Sequence, residues 1–186
     1  MTTQKTSRLG RRDWLAAGIQ ALADAGPTAL RAEVLARRIG TTKGSFYWHF
    51  TDLPAFHLAL LKHWEALALS ELVEALLDES SDVGRLRLFG QLIASKSGRA
   101  DSALSVEPAI RAWAIGHGDA ARTVARVDAK RLSYLRDLLA DIGIANAEMA
   151  RLIYAASIGM EALSAGDPLE NARSMGSLVD LILALR

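Results

Sequence analysis

Cysteine is absent from this 186-residue chain, which excludes disulfides, thiol catalysis, thiol redox sensing and cysteine-based zinc sites together. Proline is scarce, at four residues, and β-branched residues are few beside abundant alanine and leucine, so strands are not expected. No apolar run is long enough to span a bilayer, because charges interrupt the helical candidates every few residues. The opening stretch MTTQKTSRLGRRDW lacks the apolar centre of a secretory signal, and a cytoplasmic location is expected. Catalytic signatures are missing as well. The four histidines, His49, His57, His63 and His117, never stand four apart, and no HExxH, phosphate loop or nucleophile elbow occurs. No enzyme, cofactor or metal site is expected.

What is present is core material. Apolar residues make up 51% of the chain, enough for a packed all-α protein rather than a disordered one. The net charge of +1 hides an uneven distribution. Residues 1–50 hold eight Lys/Arg against three Asp/Glu, whereas the remainder holds fourteen against eighteen. A basic head on a mildly acidic body suits a protein that meets a polyanion at one end. Residues 1–10 read as a polar tail carrying Lys5 and Arg8.

The informative stretch is RAEVLARRIGTTKGSFYWHF, residues 31–50. Ala32, Leu35, Ala36 and Ile39 fall at i, i+3, i+4 and i+7, giving a short helix one apolar face. Gly40 suits a sharp turn, and Thr42 is a natural N-cap for a second helix. That helix presents Lys43, Gly44, Ser45, Tyr47, Trp48 and His49 around a buried Phe46 and Phe50. Small, hydrogen-bonding, cationic and aromatic side chains on one surface suit contact with DNA. The pattern is a helix-turn-helix, supported by a preceding helix over 12–25 with Leu15, Gly18, Ile19 and Leu22 inward.

Asp52 then caps a long helix from Leu53 to about Leu77. Further helices are expected over 83–97, 105–115 with Pro108 in its first turn, 120–142 capped by Asp119, 146–165 and 170–185. Leu152, Ile153, Ala156, Met160 and Leu163 share one face of the penultimate helix, with Tyr154, Ala155, Ile158 and Gly159 round the other side. Both final helices are apolar on more than one side, which predicts a second copy of the chain against them. Ala155, Ile158, Gly159, Leu178, Leu181, Ile182 and Leu185 are the residues expected at that dimer interface. The expected division is a helix-turn-helix domain over 1–52 and a larger helical body over 53–186, with about nine helices in all.

The run GPTALRAEVLARRIGTTKGSFYWHFTDLPAF resembles the DNA-binding domain of TetR-family transcriptional regulators. Gly26, Leu35-Ala36, Gly40, Thr42, Gly44, Phe46-Tyr47 and His49-Phe50 carry the resemblance, which covers residues 12 to about 60. It implies an N-terminal three-helix head and a C-terminal body that binds a small molecule and dimerises. It also implies DNA contacts from Arg31, Thr42, Lys43, Gly44, Ser45, Tyr47, Trp48 and His49. Three residues depart from the pattern. Arg31 stands where a Thr or Ser usually caps the second helix, Thr41 replaces an apolar turn residue, and Leu53 replaces a frequent lysine.

The expected function is a homodimeric regulator of a roughly palindromic operator, most simply a repressor released by a small ligand. The alternative is a helical ligand-binding or interaction module that has lost DNA binding. Trp64, Phe89, Trp113, Tyr134 and Met160 are the candidate pocket residues, and they favour an apolar or aromatic effector.

Overall fold

The computed structural model describes residues 9–94, 102–163 and 167–184. Residues 1–8 of the expected basic tail, the end of the 83–97 helix, Gly166 and Leu185 lie outside them. Nine α-helices and one 3-10 turn, with no strand, account for the regular structure of the described residues. The helices are α1 (Arg11–Ala25), α2 (Ala32–Arg38), α3 (Lys43–Tyr47), α4 (Leu53–Leu77), α5 (Asp82–Ala94), α6 (Ala103–Ala114), α7 (Gly118–Asp141), α8 (Ala147–Leu163) and α9 (Pro168–Leu183). Contacts divide the chain into two compact units, residues 1–64 and 65–186, so the division falls within α4. The expected boundary at 52/53 coincides with the start of that helix.

The first unit is built on aromatic packing. Trp14, Phe46 and Phe56 are completely buried, and Phe50 nearly so. The Phe46 ring stands edge-on to Trp14 at 5.3 Å between centroids and to Phe56 at 5.3 Å. Phe50 meets Phe56 edge-on at 5.0 Å, an arrangement favoured by the ring quadrupoles. Gly18 on α1 is needed for this closeness, since a Cβ there would lie 2.7 Å from Phe56 Cζ.

The second unit buries α5 against α8 and α9, and α7 against α6 and α8. Leu86, Phe89, Leu135, Leu139, Ile153, Met175 and Val179 form the centre of its core. Asn171 of α9 donates to the carbonyls of Ala94 and Met160 at 2.8 and 3.0 Å, tying the ends of α5 and α8 to α9.

Three local readings change. Helix α6 begins two residues earlier than its sequence suggests, which places Pro108 inside it rather than in its first turn. The early start is explained by two caps: Ser102 Oγ accepts from Leu104 N at 3.1 Å, and the distant Glu71 carboxylate accepts from Ala103 N at 2.9 Å. Helix α7 is capped by His117, whose Nδ1 accepts from Ala120 N, while Asp119 sits in the first turn and pairs with Arg122. Helix α8 does not keep its expected grouping of faces. Ala150, Ile153, Tyr154 and Ser157 face inward, whereas Leu152 is 55% and Leu163 84% exposed.

Candidate nucleic-acid interface

The turn between α2 and α3 is fixed by backbone hydrogen bonds that its sequence makes available. Gly40 adopts φ +68°, a left-handed conformation that costs an L side chain steric strain. With Gly40 in that state, Gly40 N donates to Arg37 O and Thr41 N donates to Ala36 O at 2.9 Å. These two bonds are the Schellman arrangement that closes a helix C-terminus. Thr42 then turns the chain into α3, its Oγ1 accepting from Ser45 N at 3.3 Å. Four residues therefore end one helix and start the next.

Helix α3 is only five residues long, so its outward face is set by Phe46 pointing in. Thr42, Lys43 and Gly44 are exposed at its start, with Ser45 partly covered. At its end Tyr47 is 48% and Trp48 88% exposed, and His49 is partly covered. All seven expected contact residues of α3 and its cap thus lie on one short segment. The eighth, Arg31, occupies the N-cap position of α2 and makes no side-chain cap there, as its departure from the family pattern suggests. Thr41 is partly covered.

Two residues that sequence reasoning did not single out shape this surface. Glu33, in the first turn of α2, lies 2.5 Å from Lys43 Nζ. The hydrogen bond to Lys43 holds the Glu33 carboxyl below its ordinary value, and the same bond holds the Lys43 ammonium above its own. Arg11 of α1 reaches across to donate to the His49 carbonyl at 3.1 Å, with its guanidinium 4.6 Å above the Phe50 ring. Arg38 is likewise engaged, paired with Asp24.

The candidate pocket residues are dispersed. Trp64 and Phe89 are fully buried, and Trp113 is 7% exposed with its ring 4.6 Å from that of His117. Met160 packs at the edge of the body core. Tyr134 stacks on Phe89 at 6.0 Å and also borders a cavity of about 280 Å³ between α4 and α7. Of the five, it alone lies in that cavity's wall.

Beside the cavity lies a buried ionic cluster that was not anticipated. Arg131 has a fully buried side chain, and its Nη1 donates to both Glu107 oxygens at 2.9 and 2.7 Å. Its Nη2 donates to the Ala68 carbonyl of α4 at 3.2 Å, while its Nε has no acceptor among the described residues. Arg111 adds bonds to Glu107 and to both oxygens of Asp128, and the Tyr154 hydroxyl donates to Asp128 at 2.7 Å. Burial works against the charge on Arg131, yet the Glu107 carboxylate beside it more than offsets this and keeps it protonated. Burial likewise raises the Tyr154 hydroxyl, which stays a proton donor. A sequence signal existed: Arg131 falls in line with Val124, Val127, Leu135 and Leu138 on the buried stripe of α7.

Of the residues expected at a dimer interface, Ala155 and Leu181 are exposed, and Ile158, Gly159 and Leu178 are partly covered. Ile182 is 4% exposed and belongs to the core of its own body. Among the described residues no helix is long and apolar enough to cross a membrane, and no His/Cys/Asp/Glu group of metal-binding type occurs.

Residues 15–52 match the family described as bacterial regulatory proteins, tetR family. No curated protein matches the chain. Solved structures do. A transcriptional regulator from Rhodococcus sp. Rha1 is 19% identical, with 95% of each chain covered and a TM-score of 0.77. A TetR-family regulator from Streptomyces coelicolor is 17% identical, covering 94% of this chain and 88% of that one, with a TM-score of 0.74. A proposed transcriptional regulator from Saccharomonospora viridis, solved in complex with choline, is 17% identical over 91% of this chain and 95% of that one, with a TM-score of 0.74.

Proposed function

We propose that the chain, which matches the tetR family of bacterial regulatory proteins over residues 15–52, is a DNA-binding transcriptional regulator and a repressor released from its operator by a small ligand. The observation that carries the reading is the α2–α3 turn. The Gly40 closure and the Thr42 cap hold Lys43, Gly44, Ser45 and Tyr47 on one exposed segment. In the proposed complex that segment enters the major groove, with Lys43 and Arg31 on phosphates and the Tyr47 hydroxyl donating to one. Trp48 and His49 flank it along the backbone.

Two copies would place two heads on successive major grooves of a roughly palindromic operator. An outward stripe on α8 supports pairing. Leu152, Ala155, Gly159 and Leu163 recur at helical spacing, and a Cβ on Gly159 would meet nothing within 4 Å. Such a stripe gains most from a partner that excludes water. Ligand release requires an effector that prefers the conformation unable to hold the operator.

The test is a fluorescence anisotropy titration against the DNA upstream of the chain's own gene, repeated at several salt concentrations. Sequence-selective binding that weakens with salt is expected. Lys43→Ala should weaken operator binding and flatten the salt slope by about one. Ala155→Glu, at an exposed position, should leave a folded monomer that no longer binds the operator tightly. Binding to any DNA with equal strength, or an unaltered dimer in Ala155→Glu, would count against the respective part.

A further inference from the structure

The cavity between α4 and α7 has a chemical character that narrows what fills it. Leu69, Leu72, Val73 and Leu76 of α4 form one wall, and Lys130, Arg131 and Tyr134 of α7 form the other. At about 280 Å³ it sits just below the 300–1,000 Å³ usual for small-molecule sites. Its charged lining residues are both cations, and no carboxylate lies in the wall. Their situations differ. Arg131 is neutralised by Glu107 within the body. Lys130 is exposed, lends its stem to the wall, and has no ion-pair partner among the described residues. An apolar trough with one uncompensated ammonium at its rim is complementary to a molecule of opposite build.

We propose that this cavity takes an amphipathic carboxylate, whose aliphatic or aromatic body lies on the α4 leucines and whose carboxylate meets the Lys130 ammonium. The proposal rests on the ligand-responsive reading above and names the site and the ligand class. It also gives Arg131 a second role, because the same side chain that lines the cavity donates to the Ala68 carbonyl of α4. An occupant thus touches a residue already bonded to the helix that begins in the DNA-binding unit.

Octanoate, octanol and octylamine separate the possibilities, since they share a tail and differ in charge. Calorimetric titration of the full-length protein should give binding strongest for octanoate, weaker for octanol and absent for octylamine. Lys130→Met, at an exposed position, should weaken octanoate roughly threefold to tenfold and leave octanol unchanged. Val73→Trp, which fills the cavity from its exposed rim, should abolish binding of both without changing the oligomeric state. Equal or tighter binding of octylamine would overturn the assignment of charge. Binding undisturbed by Val73→Trp would overturn the location, and a changed oligomeric state in that variant would show the trough to be covered by a second copy instead. Octanoate that binds here but leaves operator affinity untouched would keep the site and refute ligand release, so the two readings fail separately.

Discussion

The two units each contain a cation–carboxylate pair, and the pairs are opposites. In the head, Lys43 and Glu33 meet with about half of each side chain exposed. In the body, Arg131 and Glu107 meet with 0% and 7% exposed. The first pair is exchangeable, because water reaches both members and an anion such as phosphate can replace Glu33 at Lys43. The second is not, because both members are shielded from water and from any competing ion, and Arg111 also holds Glu107 in place. A surface proposed to trade partners with a polyanion suits pairs of the first sort. A body that must hold one helix arrangement around a cavity can use pairs of the second.

The sharpest way to break that comparison is to delete one carboxylate from each pair. Glu107→Ala leaves Arg131 buried and uncompensated, and a loss of about 3–5 kcal/mol is expected in chemical denaturation. Glu33→Ala should leave the unfolding midpoint unchanged while tightening binding to nonspecific DNA, read by anisotropy at low salt. A folded, stable Glu107→Ala would show that the body pair is no more important than the head's. Next in size is Gly18→Ala, which forces a methyl against Phe56 and Leu60 and should cost the head about 1–3 kcal/mol. Thr42→Ala removes the cap on α3 and should cost about 1 kcal/mol. Its operator affinity should fall by more than that stability loss explains.

The smallest effect is a pH dependence in the head. Burial, and then the charge of Arg12, push the His63 imidazole below its ordinary value. The folded state therefore favours the neutral ring. Its contribution to stability is present above about pH 6.5, the unfolded value, and is lost as pH falls toward the depressed folded one. Thermal melts between pH 5 and 8 should show His63→Gln with a shallower acid slope than the parent. A parallel slope would assign the acid sensitivity elsewhere.

The head was legible in the sequence because its determinants are local. The 3.6-residue spacing of Ala32, Leu35 and Ala36, the left-handed Gly40 and the Thr42 cap all act within a dozen residues. The body yielded less, for the converse reason. The start of α6 depends on Glu71, about thirty residues away, and the inward turn of Tyr154 depends on Asp128 and Arg111. Hydrophobicity grouped Leu152 and Leu163 with Ile153 on one face, yet a tyrosine with a satisfied hydroxyl took the inward place beside Ile153. Glu33 escaped notice because the spacing that joins it to Lys43 runs across a turn rather than along one helix.

The exposure of Trp48 has a use of its own. The chain's other tryptophans, Trp14, Trp64 and Trp113, are 0%, 0% and 7% exposed, whereas Trp48 is 88% exposed at the end of α3. The protein therefore carries an intrinsic fluorophore on the surface proposed to meet DNA, spectrally separable from the three shielded ones. Emission on the red side, open to a soluble quencher in the free protein and shielded from it when nucleic acid is bound, would report occupancy without any added dye.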